Sequence, residues 1–116
     1  MKEAASFFKV LADEARIQML WLLFNHQELC VCDFMEVLKI TQSKASRHLR
    51  KLHSAGLVSD RRAGLWIYYS LKPVTDDFVR AFLETLSTNL ARRHKATELL
   101  KKLDTWLKQK DQDSCR

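Results

Sequence analysis

Glycine and proline are nearly missing from this chain: Gly56, Gly64 and Pro73 are the whole supply among 116 residues. A many-turned all-β fold, or long irregular loops, would need more of both, so the composition favours helices. Long apolar runs are missing as well. The longest, Ile17 to Phe24, is broken by Gln18 and falls far short of the roughly 20 residues that cross a bilayer. It reads as a buried helix, and no membrane partner is expected. The opening Met1-Lys2-Glu3 does not begin the basic, apolar and small-residue series of a secretory signal, so the expected compartment is the cytoplasm. Cysteine is scarce: Cys30, Cys32 and Cys115 are an odd number. In a reducing compartment a structural disulfide framework explains them poorly, and metal binding or thiol chemistry explains them better.

What is present fits one compact domain, with 47% hydrophobic residues and a length that buries one core. The formal charge of +6 is unevenly spread. Residues 1–38 carry 3 basic and 6 acidic side chains, residues 39–62 carry 7 and 1, residues 63–91 carry 2 and 3, and residues 92–116 carry 8 and 4. The stripe from Lys39 to Arg62 is the footprint expected of phosphate binding, although charge alone is explained equally well by a solvated face.

Hydrophobic spacing supplies the elements. Ala4, Phe7, Phe8 and Leu11 recur at i, i+3, i+4 and i+7, a first amphipathic helix. Asp13 caps a second helix through Ile17, Leu20, Trp21 and Phe24, apolar nearly all round, and Asn25 and His26 end it. A short third helix covers about Val31 to Leu38; Thr41 then caps a fourth from Gln42 to about Ser54, and Gly56 stops it. On that fourth helix Ala45, Leu49 and Leu52 share one face, while Ser43, Arg47, Arg50 and Ser54 lie opposite, flanked by Ser46 and Lys51. Leu57 to Arg61 and Leu65 to Leu71 form a β-hairpin joined across Arg62-Ala63-Gly64. After Pro73, Thr75 caps a long helical pattern through Val79, Phe82, Leu83, Leu86 and Leu90 to Leu99, Leu103 and Leu107, with a kink or break between Ala91 and Thr97. The domain is therefore expected to span residues 1–108. Residues 109–116, polar and carrying Cys115, are expected to form a mobile tail.

A short helix, a tight turn, a basic amphipathic helix and a hairpin, in that order, make a winged helix-turn-helix: mainly α with a β-hairpin wing. Gln42, Ser43, Ser46 and Arg47 sit near the N-terminal end of the recognition helix, where side chains reach base edges. Arg50 and Lys51 suit backbone phosphates. Arg61 and Arg62, expected at the hairpin tip, suit the neighbouring backbone or minor groove. His48 falls beside the apolar face and reads as packing in preference to a DNA contact.

The runs Leu11-Ala12-Asp13-Glu14-Ala15-Arg16, Gln42-Ser43-Lys44-Ala45-Ser46-Arg47-His48-Leu49 and Ala55-Gly56-Leu57-Val58, with Arg61-Arg62-Ala63-Gly64 and Tyr69-Ser70-Leu71, resemble the ArsR/SmtB family of metal-responsive repressors. The resemblance extends from the first helix to about Leu107. It implies a homodimer built from the first and last helices, holding double-stranded operator DNA in successive major grooves. Glu28-Leu29-Cys30-Val31-Cys32-Asp33-Phe34 looks like the family's arsenic-sensing motif. The implied effector is As(III) or Sb(III) bound by Cys30 and Cys32, with no permanently bound cofactor. Soft thiolates suit such centres, and a helix N-terminus favours the thiolate. Residues i and i+2 of a helix diverge, so chelation should distort the first turn. Where some arsenic sensors carry a third cysteine this chain has Met35, which reads as core, and Cys115 is the candidate third ligand.

Other readings remain open at this point. One is that Cys30 and Cys32 are two buried cysteines acting as small apolar residues. A thiol-redox or a cadmium- or lead-responsive repressor keeps the same fold, although the extra N-terminal cysteines usual in cadmium and lead sensors are missing. The zinc-sensing His/Asp pattern of the last helix is also missing, with His94 alone there. A constitutive DNA-binding module would ignore the thiols. An enzyme is not expected: a thiol–disulfide catalyst would need something like C-x-x-C beside a βαβ unit.

Overall fold

The computed structural model describes residues 1–110. Cys115, the candidate third ligand, and most of the expected tail lie outside the described residues. The elements run α1 (Lys2–Leu11), α2 (Glu14–Phe24), β1 (Leu29–Cys30), α3 (Val31–Leu38), α4 (Gln42–Ser54), β2 (Val58–Ala63), β3 (Trp66–Leu71), α5 (Asp77–Leu90) and α6 (His94–Gln109). Among the described residues no helix is long and apolar enough to cross a membrane.

The helix ends follow local chemistry. Asp13 accepts the Arg16 amide at 3.1 Å and Thr41 accepts the Lys44 amide at 3.1 Å, so both expected N-caps form. Between α3 and α4 the chain reverses at Lys39, which takes φ 57° and ψ 49°, a left-handed conformation that a helix C-terminus usually gives to glycine. Gly56, at φ +76°, closes α4 in a Schellman motif. Its N–H donates to His53 O at 2.9 Å and the Leu57 N–H to Leu52 O at 3.0 Å. Leu52 and Leu57 are both buried, which supplies the apolar contact that accompanies this cap.

Three boundaries differ from the sequence expectation. The cap of α5 is Asp76, not Thr75: the Asp76 carboxylate accepts the Phe78 amide at 2.9 Å and the Val79 amide at 3.4 Å, which a threonine one residue earlier does not do. The hairpin turn is Gly64-Leu65, because Arg61, Arg62 and Ala63 pair with Tyr68, Ile67 and Trp66 as strand residues. Gly64 at φ +64° supplies the positive φ that a two-residue hairpin turn demands. The long C-terminal pattern breaks at residues 91–93, inside the stretch where a kink or break is expected: Arg93 turns extended (φ −91°, ψ 133°), and α6 folds back onto α2 and α3. α6 also runs through Gln109, and Lys110 is anchored, so these two residues belong to the folded part and not to a tail.

The core gathers Met19, Leu20, Trp21, Leu22 and Leu23 of α2, Phe34 and Val37 of α3, Ala45, Leu49 and Leu52 of α4, and Leu103 of α6. Met35 packs partly buried against it, as expected of a core residue. β1 lies on the inner edge of a three-stranded antiparallel sheet of order β1-β3-β2, which joins the segment before α3 to the wing. The whole is mainly α with a β-hairpin wing.

Candidate nucleic-acid interface and thiol site

α4 turns its two faces as the spacing dictates. Ala45, Leu49 and Leu52 are fully buried, whereas Gln42, Ser43, Arg47, Arg50 and Lys51 are exposed and Ser46 is half-buried. With Thr41 capping its start, α4 presents a positive N-terminal end and the basic side chains of Lys44, Arg47, Arg50 and Lys51 to solvent, an arrangement suited to phosphates and base edges.

His48 fixes that helix to the scaffold. It is 4% exposed, and its Nδ1 lies 3.1 Å from Arg16 Nη1. The guanidinium is always a donor, so Nδ1 accepts and the imidazole is neutral with its proton on Nε2. Arg16, itself buried, also donates from Nε to Val10 O at 2.7 Å and from Nη2 to Lys9 O at 3.4 Å, binding the end of α1 and the start of α2 to α4. Burial pushes the His48 pKa below its ordinary value, the positive charges of Arg16, Arg47 and Lys44 add to this, and Asp13 opposes it. Burial works to raise the Asp13 carboxyl, but the Arg16 and Ala15 amides and the charge of Arg16 outweigh it and hold the carboxyl low, and protonation of His48 would lower it further. The packing role of His48 was legible; its buried arginine partner was not.

Of the two wing arginines, Arg62 is exposed on β2, opposite Ile67. Arg61 is engaged: Nε and Nη2 each donate to Glu28 at 2.9 Å, and the guanidinium lies 4.9 Å from the centroid of the Tyr68 ring. The hydrogen bond to Arg61 and its charge hold the Glu28 carboxyl below its usual range.

The two cysteines sit where α3 begins, and Cys32 is held in a disulfide in this structure, so the two form a thiol pair on reduction. Cys30 pairs with Tyr68 as the last residue of β1 and is also the extended N-cap of α3; Cys32 stands two residues on, in the first turn. Cys30 is buried and free, and Cys32 is half-buried. Asp33 accepts the Cys30 N–H at 2.7 Å, the return half of a capping box. Since Tyr68 also pairs with Arg61, the register Cys30, Tyr68, Arg61 carries the thiol strand directly across the sheet to the wing. Among the described residues no group of three or more His, Cys, Asp or Glu side chains is arranged to hold a metal ion. His94 pairs with Glu98 at 2.9 Å on the exposed side of α6.

Comparison with known proteins agrees with this geometry. The sequence profile described as "Bacterial regulatory protein, arsR family" matches residues 13–60. The chain is 46% identical over 77 residues to the arsenic resistance transcriptional regulator ArsR1 of Pseudomonas putida, covering 66% of this chain and 60% of that protein. It is 45% identical over 83 residues to ArsR2 of the same organism, covering 71% of this chain and 72% of that one. The solution structure of the homodimeric winged helix-turn-helix DNA-binding domain of a possible ArsR-family transcriptional regulator from Mycobacterium bovis superposes with a TM-score of 0.63 at 27% identity, covering 80% of this chain and 82% of that one. A capped basic helix, a paired wing and a thiol-bearing helix start thus occur together in a winged helix-turn-helix protein that belongs to the ArsR family of bacterial regulatory proteins.

Proposed function

We propose that this protein is a cytoplasmic transcriptional repressor that binds operator DNA as a homodimer and lets go when trivalent arsenic or antimony is captured by Cys30 and Cys32. One observation carries the reading: the thiol pair occupies the first turn of the helix that packs against α4, the helix with the exposed basic face.

The chemistry is a ligand exchange without redox change. Arsenous acid, As(OH)3, gives up two hydroxides for two cysteine sulfurs. Two As–S bonds form, two As–O bonds break, and the two thiol protons leave with the hydroxides as water. Closing that chelate draws the N-cap residue and the second residue of α3 together, which a regular first turn does not allow. α3 deforms, the support of α4 shifts, and DNA affinity falls. A coupling of roughly 1–3 kcal/mol weakens binding about 5- to 150-fold. Gln42, Ser43, Ser46 and Arg47 read bases, Arg50, Lys51 and Arg62 hold phosphates, and Arg61 joins them when DNA displaces Glu28. Cys115 is a candidate third ligand.

Support for the homodimer comes from an aromatic patch. Phe8 of α1 and Phe78 and Phe82 of α5 are 44%, 41% and 41% exposed, and their rings cluster at 4.9–6.0 Å between centroids. The proposed pairing surface is therefore this patch on α1 and α5, the first helix and the first half of the expected last helix.

The test is operator binding by the reduced protein. Sites are selected from random duplex DNA, and fluorescence anisotropy then follows binding while arsenite, antimonite, cadmium, zinc or peroxide is titrated into wild type and Cys30→Ser. Release of wild type alone by arsenite or antimonite is expected. Indifference to both would sink the sensor reading, and release by cadmium or peroxide instead would favour the metal or redox alternative.

A further inference from the structure

Asp33 is among the most deeply buried side chains of the molecule at 1% exposure, and no part of the DNA-binding surface uses it. A buried carboxylate persists only where its oxygens are matched by donors. One oxygen, Oδ2, takes the Cys30 N–H at 2.7 Å. The other, Oδ1, takes the indole N–H of Trp106 at 2.8 Å and the ammonium of Lys110 at 2.6 Å, and Cys32 Sγ lies 4.0 Å from it. One rigid group therefore touches the backbone of the first thiol, the side chain of the second and the last turns of α6.

We propose that Asp33 is the positioning residue through which the state of the thiol pair reaches α6, so that Trp106 and Lys110 are part of the effector response. The proposal rests on the sensor reading above. The two oxygens of a carboxylate cannot move independently. When chelation pulls Cys30 out of its N-cap conformation, the bond from its N–H to Oδ2 is lost or reoriented, and the turn of the carboxylate alters the two bonds at Oδ1. α6 is exposed to that change because its C-terminal turns meet α3 through this group, while Leu103 and Trp21, whose indole donates to Ala96 O at 2.8 Å, hold the rest of the helix to the core. Asp33 also explains why the thiol site needs its distant helix. Without the Lys110 charge and the Trp106 donor, two acceptor positions of a buried carboxylate would go unmatched beside Cys32.

The experiment uses nitrogen-15-labelled full-length reduced protein. Trp21, Trp66 and Trp106 give separate indole N–H resonances, and Trp106→Phe assigns the one in question. On arsenite addition the Trp106 resonance is expected to move in wild type and to stay in Cys30→Ser, with Trp66 on the wing unmoved. Trp106→Phe keeps an aromatic ring at the position but deletes the donor. It is expected to capture arsenite with wild-type affinity and to bind operator without arsenite as wild type does. Its arsenite-induced loss of operator affinity should shrink by about threefold or more, a coupling effect of the size seen between contacting residues. A role confined to structure would lower stability and leave that ratio alone. If Trp106→Phe folds poorly, Lys110→Met gives the same comparison from the half-buried end of α6. A stationary Trp106 resonance, or undiminished release in the variant, with arsenite captured and wild type released, overturns the proposal and leaves the sensor reading intact. Failure of wild type to capture arsenite overturns both.

Discussion

The guanidinium of Arg61 and the carboxylate of Glu28 meet through two contacts of 2.9 Å, which ties the wing to the segment leading into Cys30. A wing arginine so occupied must exchange a carboxylate for a phosphate before it can hold DNA, whereas Arg62 on the neighbouring position is exposed. Arg62→Ala is therefore expected to weaken operator binding more than Arg61→Ala. Each phosphate contact contributes about 0.9 to the slope of log affinity against log salt, so Arg62→Ala should lower that slope by roughly that amount and Arg61→Ala by less. Glu28→Gln, which loosens the pair, should raise both affinity and slope. Anisotropy titrations across a salt series decide this, and equal slopes for all three variants would remove Arg61 and Arg62 from the interface.

The neutral His48 gives the fold a pH dependence of fixed sign. Its folded pKa lies below its ordinary 6.5, because burial and the Arg16 charge disfavour the imidazolium. Below that value the unfolded chain takes up the proton first. Stability from this site is thus complete above about pH 6.5 and is lost as pH falls from there towards the folded pKa. Asp13, held below its ordinary 3.8, adds a further loss in the same direction at lower pH. Denaturant midpoints measured from about pH 7.5 downwards should decline through this window. His48→Gln, whose amide oxygen can still accept from Arg16, should remove that part of the slope. An unchanged slope in His48→Gln would assign the acid sensitivity elsewhere.

Much of this was readable in order along the chain, and what failed shares a physical cause. Asp13, Thr41 and Gly56 act on neighbours within three or four residues, so their spacing announced them, and the alternation in Leu65 to Leu71 announced β3. Thr75 and Asp76 are both good caps, and only backbone geometry chooses between them. Arg62 looked like turn material because arginine tolerates turns, but antiparallel register with Ile67 keeps it in the strand. β1 has two residues and forms only by pairing with β3, some 39 positions later, so no local pattern could mark it. The thiols were legible as a motif, but the separation of 73 positions between Asp33 and Trp106 hid the group that holds them.

Lys39 stores conformational strain at the turn of the helix-turn-helix. A left-handed non-glycine residue costs roughly 1–2 kcal/mol, partly offset in glycine by about 0.5–1 kcal/mol of extra unfolded-state entropy. Its partner Glu36, 3.5 Å away at the surface, compensates little. Lys39→Gly is expected to stabilise the fold by up to about 1 kcal/mol, raising Tm by several degrees. A drop in Tm in a calorimetric scan would show that the lysine side chain contributes more than this geometry assigns to it.

Phe82 stands in contact with both Phe8 and Phe78, with ring centroids 5.1 and 4.9 Å away, yet remains 41% exposed. Losing an aromatic group left so open costs little in an isolated subunit but much where a second copy covers it. Phe82→Glu should leave the monomer's helical signal and melting largely intact, because the new carboxylate can reach water there. Across a dimer interface it would put two like charges into an apolar centre, and loss of a central aromatic contact alone costs about 2 kcal/mol or more, roughly thirtyfold in dissociation constant. Sedimentation velocity should show a dimer for wild type and a monomer for Phe82→Glu at the same concentration. Operator binding should fall with it, since one subunit reaches only one major groove. A variant that stays dimeric would move the interface away from α1 and α5.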